Sequence, residues 1–250
     1  MLLEDKNAVV YGGGGSIGGA VARAFAAEGA RVFLAGRTRA TLEKVAGDIR
    51  SAGGAAETAE VDALDAKAVD EHADSVAAEA GSLDISFNLI THPHAHGTPM
   101  WEMELDDYLS SVTVAVSTTF LTATAAARHM IEQGSGAILA FGGSGDPMRD
   151  YFIGGTQTAF EAIESMRQQL SAELGRHGVR VVTLRTGGVP DTIPDMEGGE
   201  AIIEEIEKQT MLGRAATLED VGNVAAFVAS DKARSMTAAT ANVSCGALVD

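Results

Sequence analysis

Short apolar runs alternate along the chain with longer stretches in which apolar residues recur every three to four positions. The runs are Ala8–Tyr11, Arg31–Ala35, Ala59–Val61, Ile85–Ile90, Ala137–Phe141, Val179–Leu184 and Ala241–Val243. Several are apolar at consecutive positions and so on both faces, as a parallel strand covered by helices on each side requires. The helical spacing occupies residues 16–29, 39–52, 65–80, 105–133, 155–176 and 218–230. Strand–helix alternation of this kind predicts an α/β fold, a doubly wound parallel sheet of seven strands with helices on both faces. No long Pro/Ser-rich linker, low-complexity tract or internal repeat divides the chain, so residues 1–250 read as one domain.

Composition narrows the partners. The chain has 250 residues and a formal net charge of -17. Phosphate backbones and anionic lipid repel such a surface, which argues against nucleic acid and membrane partners. One cysteine excludes an internal disulfide framework or a multi-cysteine zinc site. No uninterrupted apolar run is long enough for a bilayer span, and Met1–Lys6 lacks a basic region leading an apolar stretch. The expectation is a cytoplasmic protein.

In a doubly wound sheet, ligands bind beyond the carboxyl ends of the strands. After the first run comes Tyr11-Gly12-Gly13-Gly14-Gly15-Ser16-Ile17-Gly18-Gly19, followed by a helical stretch. Glycines let backbone approach a pyrophosphate closely, and the helix start behind them offers free N–H groups and a positive dipole end. The fold is therefore expected to be of the Rossmann type. The second run ends Leu34-Ala35-Gly36-Arg37. An acidic residue there would hold a ribose 2′-hydroxyl. Gly36 followed by Arg37 suits a 2′-phosphate instead, which points to NADP, with NAD as the other possibility.

Ordered motifs over nearly the whole chain resemble the short-chain dehydrogenase/reductase family. They include Arg31-Val32 to Arg37, Val61-Asp62, Leu83-Asp84-Ile85 with Asn88, Ala172-Glu173-Leu174, His177 to Val181, Leu212-Gly213-Arg214, Glu219-Asp220-Val221, Phe227 to Asp231 and Asn242-Val243. The glycine motif departs from the family's usual Thr-Gly-x-x-x-Gly-x-Gly, with Tyr11, Gly12, Ser16 and Gly18 at those places. Ser16-Ile17 is similar to the variant in enoyl-acyl-carrier reductases. The resemblance implies cofactor contacts from Gly12, Gly14, Ser16, Ile17, Gly18, Arg37, Asp62, Asn88, Gly187 and Val189. It also implies a substrate lid around residues 188–212 and a homodimer or homotetramer paired through the helices near 105–133 and 155–176.

The family's catalytic groups are a Tyr with a Lys four residues later, a Ser and an Asn. Counted back from Ala172-Glu173-Leu174, the Tyr position falls on Thr156 and the Lys position on Phe160. The Ser position falls on Gly143, beside Ser144, and the Asn position on Ala115. The lysines are Lys6, Lys44, Lys67, Lys208 and Lys232, and none lies four or seven residues after Tyr11, Tyr108 or Tyr151. Candidate replacements are Tyr151, with Arg149 near it, together with Ser144 and Thr156. The hydroxyl of Thr156 has too high a pKa for unaided acid catalysis.

After the fourth run, Thr91-His92-Pro93-His94-Ala95-His96 places three alternating histidines where substrate meets nicotinamide in the family. Imidazoles titrate near neutrality, so His92, His94 and His96 suit a solvated loop, an acid or base, or a metal ligand. No metal is assigned. His92, His94 and Trp101 are the candidate substrate contacts. The function expected is an NAD(P)(H)-dependent oxidoreductase acting on a small carbonyl, alcohol or enoyl compound with a non-standard site. The alternatives are a nucleotide-binding homologue without turnover, and a non-redox isomerase or lyase using the histidine loop.

Overall fold

Seven strands pair in parallel: β1 (Asn7–Tyr11), β2 (Arg31–Gly36), β3 (Ala55–Glu60), β4 (Ile85–Asn88), β5 (Gly136–Gly142), β6 (Val179–Thr186) and β7 (Ala239–Val243). Their spatial order is β3-β2-β1-β4-β5-β6-β7. The chain runs outward from β1 to β3, then returns to the other side of β1 with β4, so the order switches between β1 and β4. There Tyr11 pairs with Asn88 in register. The computed structural model describes residues 1–93, 96–142, 152–193, 195–196 and 198–249.

The two faces of β1 show why its sequence is apolar throughout. Ala8 and Val10 pack into one core with Val21, Phe25 and Leu34, while Val9 and Tyr11 pack into the other with Phe33, Val69 and Leu83. The first core is roofed by α1 (Ser16–Ala27), α2 (Arg39–Ser51) and α7 (Leu218–Ala229). The second lies under α3 (Ala66–Ala80), α4 (Leu105–Gln133) and α5 (Thr156–Leu174). A Cβ at Gly222 of α7 would come 2.9 Å from the Ala24 Cβ of α1, so glycine there sets how closely the two helices approach.

Two elements differ from the sequence expectation. The third strand is Ala55–Glu60 rather than Ala59–Val61. It is an edge strand with only Ala56 fully buried, so it lacks the two-sided apolar signature that marks the inner strands. A further helix, α6 (Gly199–Lys208), forms inside the stretch read as a lid. Its Ile206 packs where a Cβ on Gly188 would stand, 2.7 Å from the Ile206 Cδ1.

By length and composition α4 would suffice to cross a bilayer, contrary to the expectation drawn from uninterrupted apolar runs. Its apolar stretch is broken by serines and threonines, and much of it is buried against the sheet and neighbouring helices, as in the core helix of an α/β domain.

The ring of Tyr11 meets His72 of α3 edge-on, with centroids 5.8 Å apart. Burial raises the Tyr11 hydroxyl pKa, helped by Asp70, so this tyrosine belongs to the core and not to any proton-transfer site. Burial also pushes His72 down to about 4. Its unfolded value is near 6.5, so the unfolded chain binds the extra proton first. Folding stability is therefore full above about pH 6.5, falls as pH drops below that, and levels off near 4, with a loss of up to roughly 3 kcal/mol. His72→Leu is expected to flatten the fall in melting temperature between pH 7 and 5. An unchanged slope would show that His72 is not its source.

Candidate functional site

The turn after β1 is built by backbone. Gly12 has φ 75°. The N–H groups of Gly12 and Gly13 donate to Ala35 O at 2.8 and 3.3 Å, and Gly15 N–H donates to Gly12 O at 3.0 Å. α1 then begins at Ser16 with Gly15 as its N-cap, so no side chain caps the helix and no acidic residue lies in the first turn. The amides of Ser16, Ile17 and Gly18 are the first-turn donors that an α-helix cannot use internally. A Cβ at Gly18 would stand 2.2 Å from Gly12 O, and one at Gly12 would stand 2.4 Å from Leu89 O. Glycine is required at both positions for the turn to fold against the helix and against the β4 loop.

Two hollows share the Leu89–His92 loop as a wall, the larger bordered by Gly12, Gly14 and Gly15 and the smaller by Ser16, Ile17 and Gly18. The larger, about 500 Å³, runs from Gly12 and Gly14 past Gly36, Arg37 and Thr38 to Asp62. Arg37 is exposed on its wall, and the Asp62 Oδ1 accepts the Leu64 N–H at 3.0 Å. The smaller, about 380 Å³, is bordered by the same loop and by Ser16, Ile17, Gly18, Phe141, Phe160 and Thr192.

Asn88 sits beneath this loop and shapes it. Its Oδ1 accepts the Ile90 N–H at 3.0 Å, and its Nδ2 donates to Thr118 and Thr119 of α4 at 3.0 and 3.1 Å. The Ser111 hydroxyl donates to Pro93 O, tying the loop to α4 further along. His92 is thereby held inward. It is 8% exposed, borders both hollows, and meets the Phe160 ring edge-on at 5.4 Å. Its neighbour His96 is exposed.

Phe160 and Ala115, at the Lys and Asn positions, pack in one apolar cluster with Val112, Ala140, Ala159 and Ile163. Thr156 is buried at the start of α5 and belongs to neither described wall. Tyr108 bonds through its hydroxyl to Thr158 at 2.7 Å, joining α4 to α5. Tyr151, Ser144, Gly143, Arg149 and His94 lie outside the described residues. Trp101 is 79% exposed and packs edge-on against Phe152, away from both hollows. Gly187 packs beside Ser244 and Ala247. Val189 is buried behind the wall, where its carbonyl accepts the Thr192 hydroxyl at 2.8 Å. Wall residues passed over in the sequence include Thr38, Val114, Thr118, Phe141 and Thr192. Thr38 and Phe141 were findable, because each lies at or just beyond the carboxyl end of a strand.

A family model described as enoyl-(acyl carrier protein) reductase matches residues 13–247. The chain belongs to the short-chain dehydrogenase/reductase family. Members of this family are NAD(P)-dependent oxidoreductases. Among its relatives, D-threitol dehydrogenase of Mycolicibacterium smegmatis is 31% identical, over 92% of this chain and 88% of that protein. Meso-2,3-butanediol dehydrogenase of Serratia marcescens is 29% identical, over 99% and 96%. A crystal structure of a short-chain type dehydrogenase/reductase from Mycobacterium marinum superposes with a TM-score of 0.88 at 26% identity, covering 99% of this chain and 97% of that one.

The residues present fit the family's dinucleotide. The uncapped α1 amides and the glycine turn Gly12–Gly15 leave backbone donors where a pyrophosphate needs them. Gly15 and the Leu89–His92 loop border both hollows.

Proposed function

We propose that this short-chain dehydrogenase/reductase uses NADP(H) to interconvert a small carbonyl compound and its alcohol, with a proton-transfer end unlike that of the family. The observation that carries the reading is the glycine cradle at the N-terminus of α1, opening onto a cleft whose far end presents Gly36 and Arg37. When bound, NADPH supplies the hydride. The chain's own residues would hold the phosphates with the α1 amides and the 2′-phosphate with Arg37, while Asp62 would accept from the adenine amino group. The walls around Leu89–His92 would exclude water from the reacting end.

The relatives' names suggest the first compounds to try, namely vicinal diols and their ketones. The same reading includes a cytoplasmic homodimer or homotetramer pairing along α4 and α5, where Phe120 is half exposed. It also includes a lid over residues 188–212 that carries α6.

Arg37→Ala is expected to weaken NADPH binding about tenfold or more and to leave NADH binding within about twofold, since one charge-assisted phosphate contact is worth more than 1 kcal/mol. Fluorescence titration of the reduced cofactors measures both. Equal losses for the two cofactors would defeat the assignment of Arg37. A second reading, nucleotide binding without turnover, draws support from the apolar cluster at Ala115 and Phe160. It predicts tight NADPH binding with no oxidation of NADPH by any ketone.

A further inference from the structure

Among the described residues, those around Phe160 leave the smaller hollow short of ionisable groups. Its described side chains are Phe141, Phe160, Leu89, Ile17, Ile90 and the hydroxyls of Ser16, Thr91 and Thr192, with His92 alone able to titrate near neutrality. Unaided hydroxyls have pKa values far too high to give up a proton at neutral pH. Along the larger hollow the other charged side chains in the described wall are Arg37 and Asp62, both at the far end.

From this geometry we infer that His92 is the proton donor for carbonyl reduction and the acceptor in the reverse direction. The inference rests on the oxidoreductase reading above. Three features place the imidazole for this role. It is buried and borders both hollows, in the smaller one beside Phe160 and the amides of Ser16–Gly18. Its ring is oriented by the edge contact with Phe160. The loop that carries it is held from below by Asn88 and Ser111.

The step balances simply. The reduced cofactor would supply the hydride, its own C–H bond breaking and the cofactor becoming oxidised as the new C–H bond forms, and the carbonyl π pair would move to oxygen. The imidazolium N–H bond breaks with its electron pair staying on nitrogen, and the proton forms the O–H bond. Neutral imidazole regains a proton from solvent after the product leaves. Phe160 thus acts as a positioning residue for His92, at the place where the family sets a lysine beside its tyrosine.

The test uses histidine ring-labelled protein and nuclear magnetic resonance, with His92 identified as the resonance missing from His92→Gln. NADPH and NADP⁺ are the probes. Oxidised nicotinamide carries a positive charge that the reduced ring lacks, and it repels an imidazolium close to it. His92 is expected to titrate about one pH unit lower with NADP⁺ than with NADPH bound, and the other histidines should not distinguish the two. With butane-2,3-dione as the ketone, His92→Gln should slow NADPH oxidation about a hundredfold while NADPH affinity stays within about threefold. If NADPH binds but His92 titrates identically in both complexes, or His92→Gln oxidises NADPH as fast as the parent, the inference is overturned while the cofactor assignment stands. If NADPH does not bind at all, the oxidoreductase reading itself falls.

Discussion

Gly18→Val is expected to reduce NADPH affinity about a hundredfold or more and to lower the melting temperature by roughly 5–15 °C. A Cβ at Gly18 would stand 2.2 Å from the carbonyl oxygen of Gly12, and both atoms belong to backbone held by other bonds. Gly12 is fixed by its N–H bond to Ala35 O, and its carbonyl accepts from Gly15. Relief of the clash therefore requires the β1 turn and the start of α1 to move apart. That movement costs about 2–4 kcal/mol of packing and turn geometry. It also spreads the amides of Ser16, Ile17 and Gly18 away from one anion site. Gly47→Ala in α2 is the control. A Cβ there meets nothing within 4 Å, so the change should leave binding alone and add about 0.5–1 kcal/mol of stability. Parent-like NADPH affinity in Gly18→Val, by the same fluorescence titration, would show that phosphates are not held at this turn.

Arg167→Met is expected to destabilise the fold by about 3–5 kcal/mol, measured by denaturant unfolding. Arg167 is 6% exposed and its guanidinium donates to Glu164 one turn earlier on α5, through Nε at 3.1 Å and Nη2 at 3.0 Å. Glu164 also accepts from the hydroxyls of Thr183 on β6 and Thr240 on β7, so this carboxylate links α5 to two strands of the sheet. Removing the cation leaves a largely buried carboxylate that must either stay charged without its partner or take up a proton, and each costs stability. The double variant Glu164→Gln/Arg167→Met removes both charges and should recover a large part of the loss. A double variant no more stable than the single one would show that the pair's worth lies in shape rather than charge.

The inner strands were legible because burial on both faces leaves an unbroken apolar run, as in Ala8-Val9-Val10-Tyr11. β3 was displaced in the sequence reading because, at the sheet edge, Glu57, Thr58 and Glu60 stay partly in solvent and dilute that signal. α6 went unread, although Ile202, Ile203 and Ile206 recur at helical spacing in Gly199–Lys208, because a lid was expected over that stretch. The phosphate cradle was legible because glycine is the residue that backbone crowding demands.

The reacting end was legible only in part. Sequence register assigned Phe160 and Ala115 to positions that are polar in the family, and the fold packs both in one apolar cluster. It did not show that His92 would be drawn inward while His96 stays exposed, because Thr-His-Pro-His reads as a polar loop. That distinction depends on Asn88 and Ser111 acting from elements distant in sequence, and on a ring from α5 meeting the imidazole. Val114 and Thr118 were hidden for the same reason, since the packing of α4 against the β4 loop decides which of its residues border the cleft.

The cleft from the glycine turn at the start of α1 to Arg37 is the proposed seat of NADP(H). The most direct test is titration of the intact protein with NADPH and with NADH, followed by displacement with adenosine 2′,5′-bisphosphate. NADPH is expected to bind at least about tenfold tighter than NADH, and to be displaced by the bisphosphate but not by adenosine 5′-monophosphate at the same concentration. Absence of binding by either cofactor, or tighter binding of NADH, would contradict it.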